Sequence, residues 1–148
     1  MEFQIIPGKV RPLTPPRREP STGSDHCSEA ESEALSEWLD ERTHIPWITS
    51  VLAEIELARA IRVVAPQGLA HVPLVLARIN RFEIDPVIRA TAAAYPDVRL
   101  RSLDAVHLAT AQIASTTAAL TAFVAYDQRL GQAAQDLGMI VAAPDRAH

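Results

Sequence analysis

The sequence predicts an α/β fold in which helices flank a parallel sheet. Short apolar runs alternate with longer stretches whose apolar residues recur every three or four positions, as expected for strands alternating with amphipathic helices. This order of elements is typical of a parallel sheet, because each parallel connection needs a crossover that is usually a helix. With 148 residues, of which 48% are hydrophobic, the chain is long enough for one domain with its own core.

The first 28 residues lack this alternation and predict an irregular, disordered tail. They contain five of the chain's 11 prolines, and proline interrupts helices and central strands because it has no backbone N–H group. A short edge strand at residues 3–6 is the most ordered structure that we expect in this segment. We therefore expect residues 1–28 to form a tail and residues 29–148 to form the folded domain.

The following segment predicts a helix, a short strand and a second helix. In SEAESEALSEWLDE, which starts at residue 28, apolar residues fall on one helical face and acidic residues on the other. Residues 46–49 predict a strand. Thr49 or Ser50 is a suitable N-cap for the next helix, whose apolar stripe includes Ile55.

The alternation continues to the end of the chain. A helical stretch begins at Gly68 and a strand is expected at residues 82–85, after which Pro86 fits the first turn of another helix. SLDAVHLATAQIA, which starts at residue 102, predicts a further helix. The last predicted elements are a strand at residues 122–126, a helix at 128–137 that ends before Gly138, and a strand at 139–142.

Two aspartates stand where a parallel sheet binds ligands. Asp104 lies in the first turn of the helix that starts at residue 102, and Asp127 follows the apolar run AFVAY at the end of a predicted strand. In an α/β sheet, ligands bind beyond the carboxyl ends of the strands. Two carboxylates that converge there, with a third from an earlier helix, would bind a hard divalent cation.

The same acids also have plain structural explanations. Asp104 in a first helical turn interacts favourably with the helix dipole, and Asp127 can be the N-cap of the last long helix. Helical periodicity does not distinguish Glu54 from Glu56 as the third carboxylate, because the two flank the apolar stripe on opposite sides. His107 shares a helix face with Asp104, where we expect it to support the site or to lie at the surface rather than to bind metal.

Composition narrows the class of protein. The net charge of −4 argues against a domain that binds nucleic acid mainly through a broad basic surface, although a bound cation would invert the local charge at a nuclease site. The single cysteine, Cys27, allows no internal disulfide, which suits a reducing cytoplasm. No apolar stretch approaches the roughly 20 residues of a membrane helix. We expect a soluble cytoplasmic protein without a membrane partner.

Four motifs in order resemble a known family. SLDAVHLATA followed by FVAYDQRLGQAAQDLGM is similar to the C-terminal half of a PIN domain, in the form found in VapC-type toxins of type II toxin–antitoxin systems. ESEALSEWL and TSVLAEIELARA resemble the preceding helix and the strand-to-helix passage of that family. The resemblance covers about residues 28–144 and implies a PIN-like three-layer fold.

The resemblance also implies a chemistry and a set of partners. It implies a Mg²⁺- or Mn²⁺-dependent endoribonuclease toxin, with one or two metal ions, that cleaves RNA of the tRNA or rRNA class. Glu56, Asp104 and Asp127 match three acidic family positions and would be both the catalytic residues and the metal ligands. Such toxins form homodimers and are inhibited by a cognate antitoxin protein.

One departure from the family affects both fold and activity. The family's first strand ends in an aspartate, and no apolar strand ending in aspartate occurs before residue 28. The first strand is therefore expected to be missing or replaced. This leaves three alternatives: a ribonuclease, impaired by loss of the first acid; a catalytically inactive PIN-like binding module that dimerises or captures an antitoxin; and an α/β domain whose acids are only helix caps.

Overall fold

A computed structural model describes residues 2–5, 41–42, 44–64 and 66–144, with the backbone alone at residues 2–5 and 64. The strands are β1 (Glu2–Ile5), β2 (Trp47–Ser50), β3 (Ile79–Phe82), β4 (Ala119–Val124) and β5 (Val141–Ala142). The α-helices are α1 (Leu52–Val64), α2 (Val72–Leu76), α3 (Pro86–Ala94), α4 (Ser102–Ser115) and α5 (Gln128–Asp136), and a 3₁₀ helix spans Pro66–His71.

The five strands form one parallel sheet in the order β3-β2-β1-β4-β5. The α/β prediction is therefore confirmed. Because crossovers between parallel strands are right-handed, α1 covers one face, while α3, α4 and α5 cover the other. Strand order reverses direction at β1, so the sheet has its switch point between β1 and β4, where α/β folds bind ligands.

Strand β1 lies in the middle of the sheet, and the expectation of an edge strand was wrong. Gln4 pairs with Trp47 of β2 on one side and with Ala122 of β4 on the other. The four residues Glu2–Ile5 contain no proline, so every one of them can donate to a neighbouring strand. The family resemblance predicted that the first strand is missing or replaced, and β1 is the replacement. No local pattern in residues 3–6 predicted this central position, because it depends on where the other strands lie.

The buried core lies between the sheet and α4. Phe123 and Ile48 extend from the sheet, and Leu108 and Leu130 extend from the helices that cover it. α4 is buried along most of its length because it packs against α3 as well as against β2 and β4. This packing fixes α4, and with it the first turn that contains Asp104.

Other elements differ from prediction in their details. Ile55, expected in the core stripe of α1, is 60% exposed, whereas Ala53 and Ala60 are buried. β3 spans Ile79–Phe82, whereas a strand was predicted at residues 82–85. Asp85 is not in the strand because it caps α3, where its side chain accepts a hydrogen bond from the Ile88 amide at 2.8 Å.

The predicted end of α5 is confirmed at the glycine. Gly138 has φ = 79°, a left-handed conformation that glycine adopts without steric cost, and its amide donates to the Gln135 carbonyl at 2.8 Å. The chain then turns directly into β5. α5 consequently runs beside β4 and β5 and holds Asp127 at its start.

Residues 6–40 lie outside the described part of the chain. The domain boundary expected at residue 28 and the helix expected from residue 28 therefore stay predictions. Across the described ranges, no helix has both the length and the apolarity to cross a lipid bilayer.

Candidate active site

The topology brings the three predicted acids to one edge of the sheet. Glu56 lies in the second turn of α1, which begins just beyond the carboxyl end of β2. Asp104 lies in the first turn of α4, and because α4 leads into the parallel strand β4, that turn is at the carboxyl edge. Asp127 follows the carboxyl end of β4 and precedes α5. All three acids are thus placed around the switch point of the sheet.

Asp104 is a buried carboxylate, with 4% of its surface exposed. Burial of a charge is costly unless partners compensate it, and Asp104 does have an interaction partner. It lies in the first turn of α4, where the helix dipole favours negative charge. Cap and dipole effects alone do not require such burial, since most capping aspartates are partly solvated.

Glu56 is held by a buried histidine. Its Oε2 lies 2.8 Å from Nε2 of His107, whose side chain is 1% exposed, while the Glu56 side chain is 18% exposed. On the other side of the ring, Nδ1 of His107 lies 3.3 Å from the hydroxyl of Ser50, which is also buried. His107 is one turn after Asp104 on α4, so the ring that contacts Glu56 lies on the helix face that carries Asp104.

The structure distinguishes the two glutamates that periodicity left equivalent. Glu54 forms a salt bridge with Arg81 of β3, with 3.0 Å between Oε1 and Nη1, and about half of its side chain is exposed. Glu56 points the other way, towards α4. Glu56 is therefore the glutamate at the carboxyl edge beside Asp104.

Asp127 is the N-cap of α5. Its Oδ1 accepts hydrogen bonds from the amides of Arg129 and Leu130, at 2.9 and 3.2 Å. Its Oδ2 lies 3.4 Å from Nη2 of Arg129, whose side chain is nearly half exposed. The capping explanation thus accounts for one oxygen of Asp127, while the other faces a solvated guanidinium group, whose attraction is weak.

Comparison with known proteins identifies the family. The PIN domain family model matches residues 25–135. The chain belongs to the PIN-domain family, as a VapC-type member. Ribonuclease VapC35 of Mycobacterium tuberculosis (strain ATCC 25618 / H37Rv) is 63% identical over 119 residues, which cover 80% of this chain and 88% of the relative.

Two more distant relatives also carry VapC ribonuclease names. Ribonuclease VapC46 of the same strain is 36% identical over 116 residues, covering 78% of this chain and 86% of the relative. Ribonuclease VapC47 of Mycobacterium tuberculosis (strain CDC 1551 / Oshkosh) is 32% identical over 120 residues, covering 79% and 87%. No solved structure matches the chain significantly. The resemblance and the three-layer fold that the motifs predicted are confirmed.

The central strand of this PIN domain lies outside the matched region. The family model begins at residue 25, whereas β1 is formed by Glu2–Ile5. The strand is followed in sequence by Ile6 and Pro7, so it has no carboxylate at its carboxyl end. The central position that the family fills with a strand and an aspartate is filled here by a strand alone.

The candidate ligands suit a divalent cation that keeps several bound waters better than a cation enclosed entirely by protein ligands. Glu56, Asp104 and Asp127 offer carboxylate oxygens, which Mg²⁺ and Mn²⁺ prefer. Within the ranges that the structure describes, no three histidine, cysteine, aspartate or glutamate side chains are close enough together to hold an ion among them. Mg²⁺ commonly uses one or two carboxylates and keeps several waters until a substrate phosphate replaces them. Joint ligation of one ion by all three acids stays a prediction.

Sequence reasoning missed the link between Ser50 and His107. The two residues are 57 positions apart, and Ser50 was fully explained as a helix cap. Its hydroxyl does accept a hydrogen bond from the Leu52 amide at 3.3 Å, as a cap would. The three-residue spacing of Asp104 and His107 was the only available signal that this histidine faces the site.

Proposed function

We propose that this PIN-domain chain is a divalent-metal-dependent endoribonuclease, the toxin of a toxin–antitoxin pair, that cleaves RNA phosphodiester bonds. The observation that carries the proposal is the placement of Glu56, Asp104 and Asp127 around one switch point, with Glu56 oriented by a buried histidine. Relatives that are 63% and 36% identical carry the name ribonuclease, which supports the same activity here.

Asp104 and Glu56 are the residues that we expect to hold the cation, with Asp127 as the third ligand. Asp104 supplies a carboxylate that is already desolvated, so little water must be displaced from it on binding. Glu56 supplies the oxygen that His107 does not use. Asp127 supplies Oδ2, and its Oδ1 remains bonded to the α5 amides.

The chemistry follows from these positions. A bound Mg²⁺ or Mn²⁺ would activate water for in-line attack on phosphorus and neutralise charge on the phosphate oxygens. Asp104 and Glu56 orient that assembly because both are fixed by buried contacts of α4. Arg129, released from Asp127, lies at the same edge and can bind an RNA phosphate through its guanidinium group.

The missing carboxylate at the end of β1 favours a second candidate function. Without it, metal affinity is expected to be lower than in a site with four acids, and the chain would then be an inactive PIN-like module that dimerises or captures an antitoxin. The absence of a three-ligand cluster within the described residues points the same way. We place the ribonuclease first because the three remaining acids keep their positions at the carboxyl edge.

A cleavage assay with matched variants distinguishes the two functions. Purified protein is incubated with tRNA and rRNA fractions in Mg²⁺ or Mn²⁺, with EDTA as the metal-free control. Asp104→Asn preserves shape but removes the charge, and we expect it to lower cleavage at least 100-fold. Asp136→Asn is the matched control, because Asp136 is an exposed acid at the other end of α5 and accepts a hydrogen bond from the Gln132 side chain.

The outcomes separate cleanly. Metal-dependent cleavage that Asp104→Asn abolishes and Asp136→Asn preserves supports the ribonuclease. No cleavage by any preparation, together with tight binding of the product of a neighbouring small gene, supports the inactive module. Cleavage that survives both EDTA and Asp104→Asn would contradict the proposed site.

The proposed partners follow from the same family membership. We expect a homodimer in the cytoplasm, an RNA substrate of the tRNA or rRNA class, and a cognate antitoxin that inhibits cleavage. Light scattering gives the oligomeric state, and sequencing of cleaved RNA ends identifies the substrate.

A further inference from the structure

His107 is the most buried ionisable side chain near the site, and nothing in the proposed chemistry uses it directly. Its side chain is 1% exposed, so solvent and RNA do not reach the ring. Both ring nitrogens have partners, Glu56 at 2.8 Å and Ser50 at 3.3 Å. A buried imidazole with two satisfied nitrogens is poorly suited to bind metal or to exchange protons with substrate.

The hydrogen bonds around the ring have a single consistent direction in its neutral form. The Leu52 amide donates to the Ser50 hydroxyl at 3.3 Å, and that hydroxyl donates to Nδ1 of His107. Nε2 then bears the hydrogen and donates to Oε2 of Glu56, because an ionised carboxylate only accepts. The chain of bonds therefore begins at the carboxyl end of β2 and ends on Glu56.

This arrangement ties three elements together at the carboxyl edge. Ser50 ends β2, Glu56 belongs to α1, and His107 belongs to α4, one turn after Asp104. The ring consequently sets the position of Glu56 relative to Asp104. It also occupies Oε2 of Glu56, so Oε1 is the oxygen that would bind a cation.

We propose that His107 is a positioning residue, which acts through Glu56 to hold one carboxylate oxygen in place for the divalent cation. A glutamate side chain has several rotatable bonds, and without an anchor it samples many orientations. Residues that orient metal ligands typically change metal affinity 10- to 100-fold when they are replaced. The inference depends on the proposed metal site, but not on RNA cleavage.

Substitutions at His107 can separate the two ring nitrogens. The amide nitrogen of glutamine reaches about as far as Nε2, so His107→Gln keeps a donor to Glu56. The shorter His107→Asn reaches only the position of Nδ1 and can bond Ser50 but not Glu56. His107→Leu removes both bonds. Thr110→Val is the matched control, since Thr110 is equally buried on α4 and its hydroxyl donates to the Val106 carbonyl at 2.8 Å.

Mn²⁺ alone is the probe, and free Mn²⁺ is measured by electron paramagnetic resonance at fixed pH. We expect the affinity of His107→Gln and Thr110→Val to stay within about threefold of the starting protein, whereas His107→Asn and His107→Leu lose about 10- to 100-fold. Thermal unfolding of each variant identifies any that fail to fold. Because Gln and Asn are both polar and differ by one methylene, their comparison remains informative if Leu unfolds the chain.

Each outcome supports or rejects the positioning role, and some also test the proposed function. Equal affinities for Gln, Asn and the starting protein would overturn the positioning role, as would an absence of Mn²⁺ binding in every folded preparation. The expected order of affinities in a protein that cleaves no RNA would support the positioning role and reject the proposed function. The expected order together with RNA cleavage supports both.

Discussion

At the scale of single residues, the same side chain can serve the fold and the site at once. Asp127 is the example, because one oxygen caps α5 while the other faces Arg129. The sequence offered capping and metal binding as alternatives, but the two oxygens of one carboxylate can serve both roles. Asp104 differs, since its burial exceeds what a cap requires.

Two substitutions at Asp127 separate its roles. Asparagine is as good an N-cap as aspartate, so Asp127→Asn should change the free energy of unfolding by only a few tenths of a kcal/mol, whereas Asp127→Ala should lower it by about 1 kcal/mol. Both remove the charge, so both should weaken Mn²⁺ binding and RNA cleavage. Urea unfolding gives the stability. Unchanged Mn²⁺ affinity in both variants would leave Asp127 as a cap alone.

At the scale of elements, the position of α4 governs the site, and its packing against α3 can be tested. Tyr95, which ends α3, donates from its hydroxyl to Oε1 of Gln112 on α4 at 2.7 Å. Burial raises the pKa of Tyr95 to about 12, because the charged phenolate is poorly solvated there. The neutral tyrosine therefore stabilises the packed pair of helices.

The raised pKa of Tyr95 predicts a loss of stability at alkaline pH. A folded pKa above the unfolded value of 10.0 means that the stabilising contribution is complete below pH 10 and is lost as pH rises through about 12. We expect the urea midpoint to fall across this window in the starting protein and to fall less in Tyr95→Phe. The single lysine and two tyrosines leave few other groups that titrate there. Parallel slopes for the two proteins would contradict the assignment.

At the scale of the whole molecule, the sheet is completed by residues outside the family match. β1 joins β2 to β4, and without it the two halves of the sheet would share no backbone ladder. The same strand lies at the switch point, beside the candidate site. The strand contributes backbone pairing to the fold, and Ile6 and Pro7, which follow its carboxyl end, carry no carboxylate.

A proline in β1 tests its central position. Gln4→Pro removes a backbone donor from a residue paired on both sides, and we expect a loss of stability on the order of 3 kcal/mol. Thr22→Pro, within the predicted tail, is the control and should change little. Thermal and urea unfolding measure both. Equal stability of the two variants would show that residues 2–5 do not support the sheet.

The sequence predicted most features of the fold that depend on local residue patterns. The α/β class, the start of α4 at Ser102, the end of α5 before Gly138 and the family resemblance all followed from periodicity, capping residues and motif order. These features depend on neighbours within a few positions, where helix and strand geometry fixes which side chains share a face. The exposure of Ile55 was not predictable in this way, because it depends on how much of α1 the rest of the fold covers.

The sequence by itself determined the order of elements and the chemical identity of the candidate acids. Only the tertiary structure decided that β1 is central, that Glu56 rather than Glu54 faces α4, and that Ser50 reaches His107. The physical reason is distance along the chain. His107 contacts Glu56 and Ser50, which precede it by 51 and 57 positions in the sequence. The packing of whole elements sets such contacts, and the local periodicity of apolar residues does not predict them.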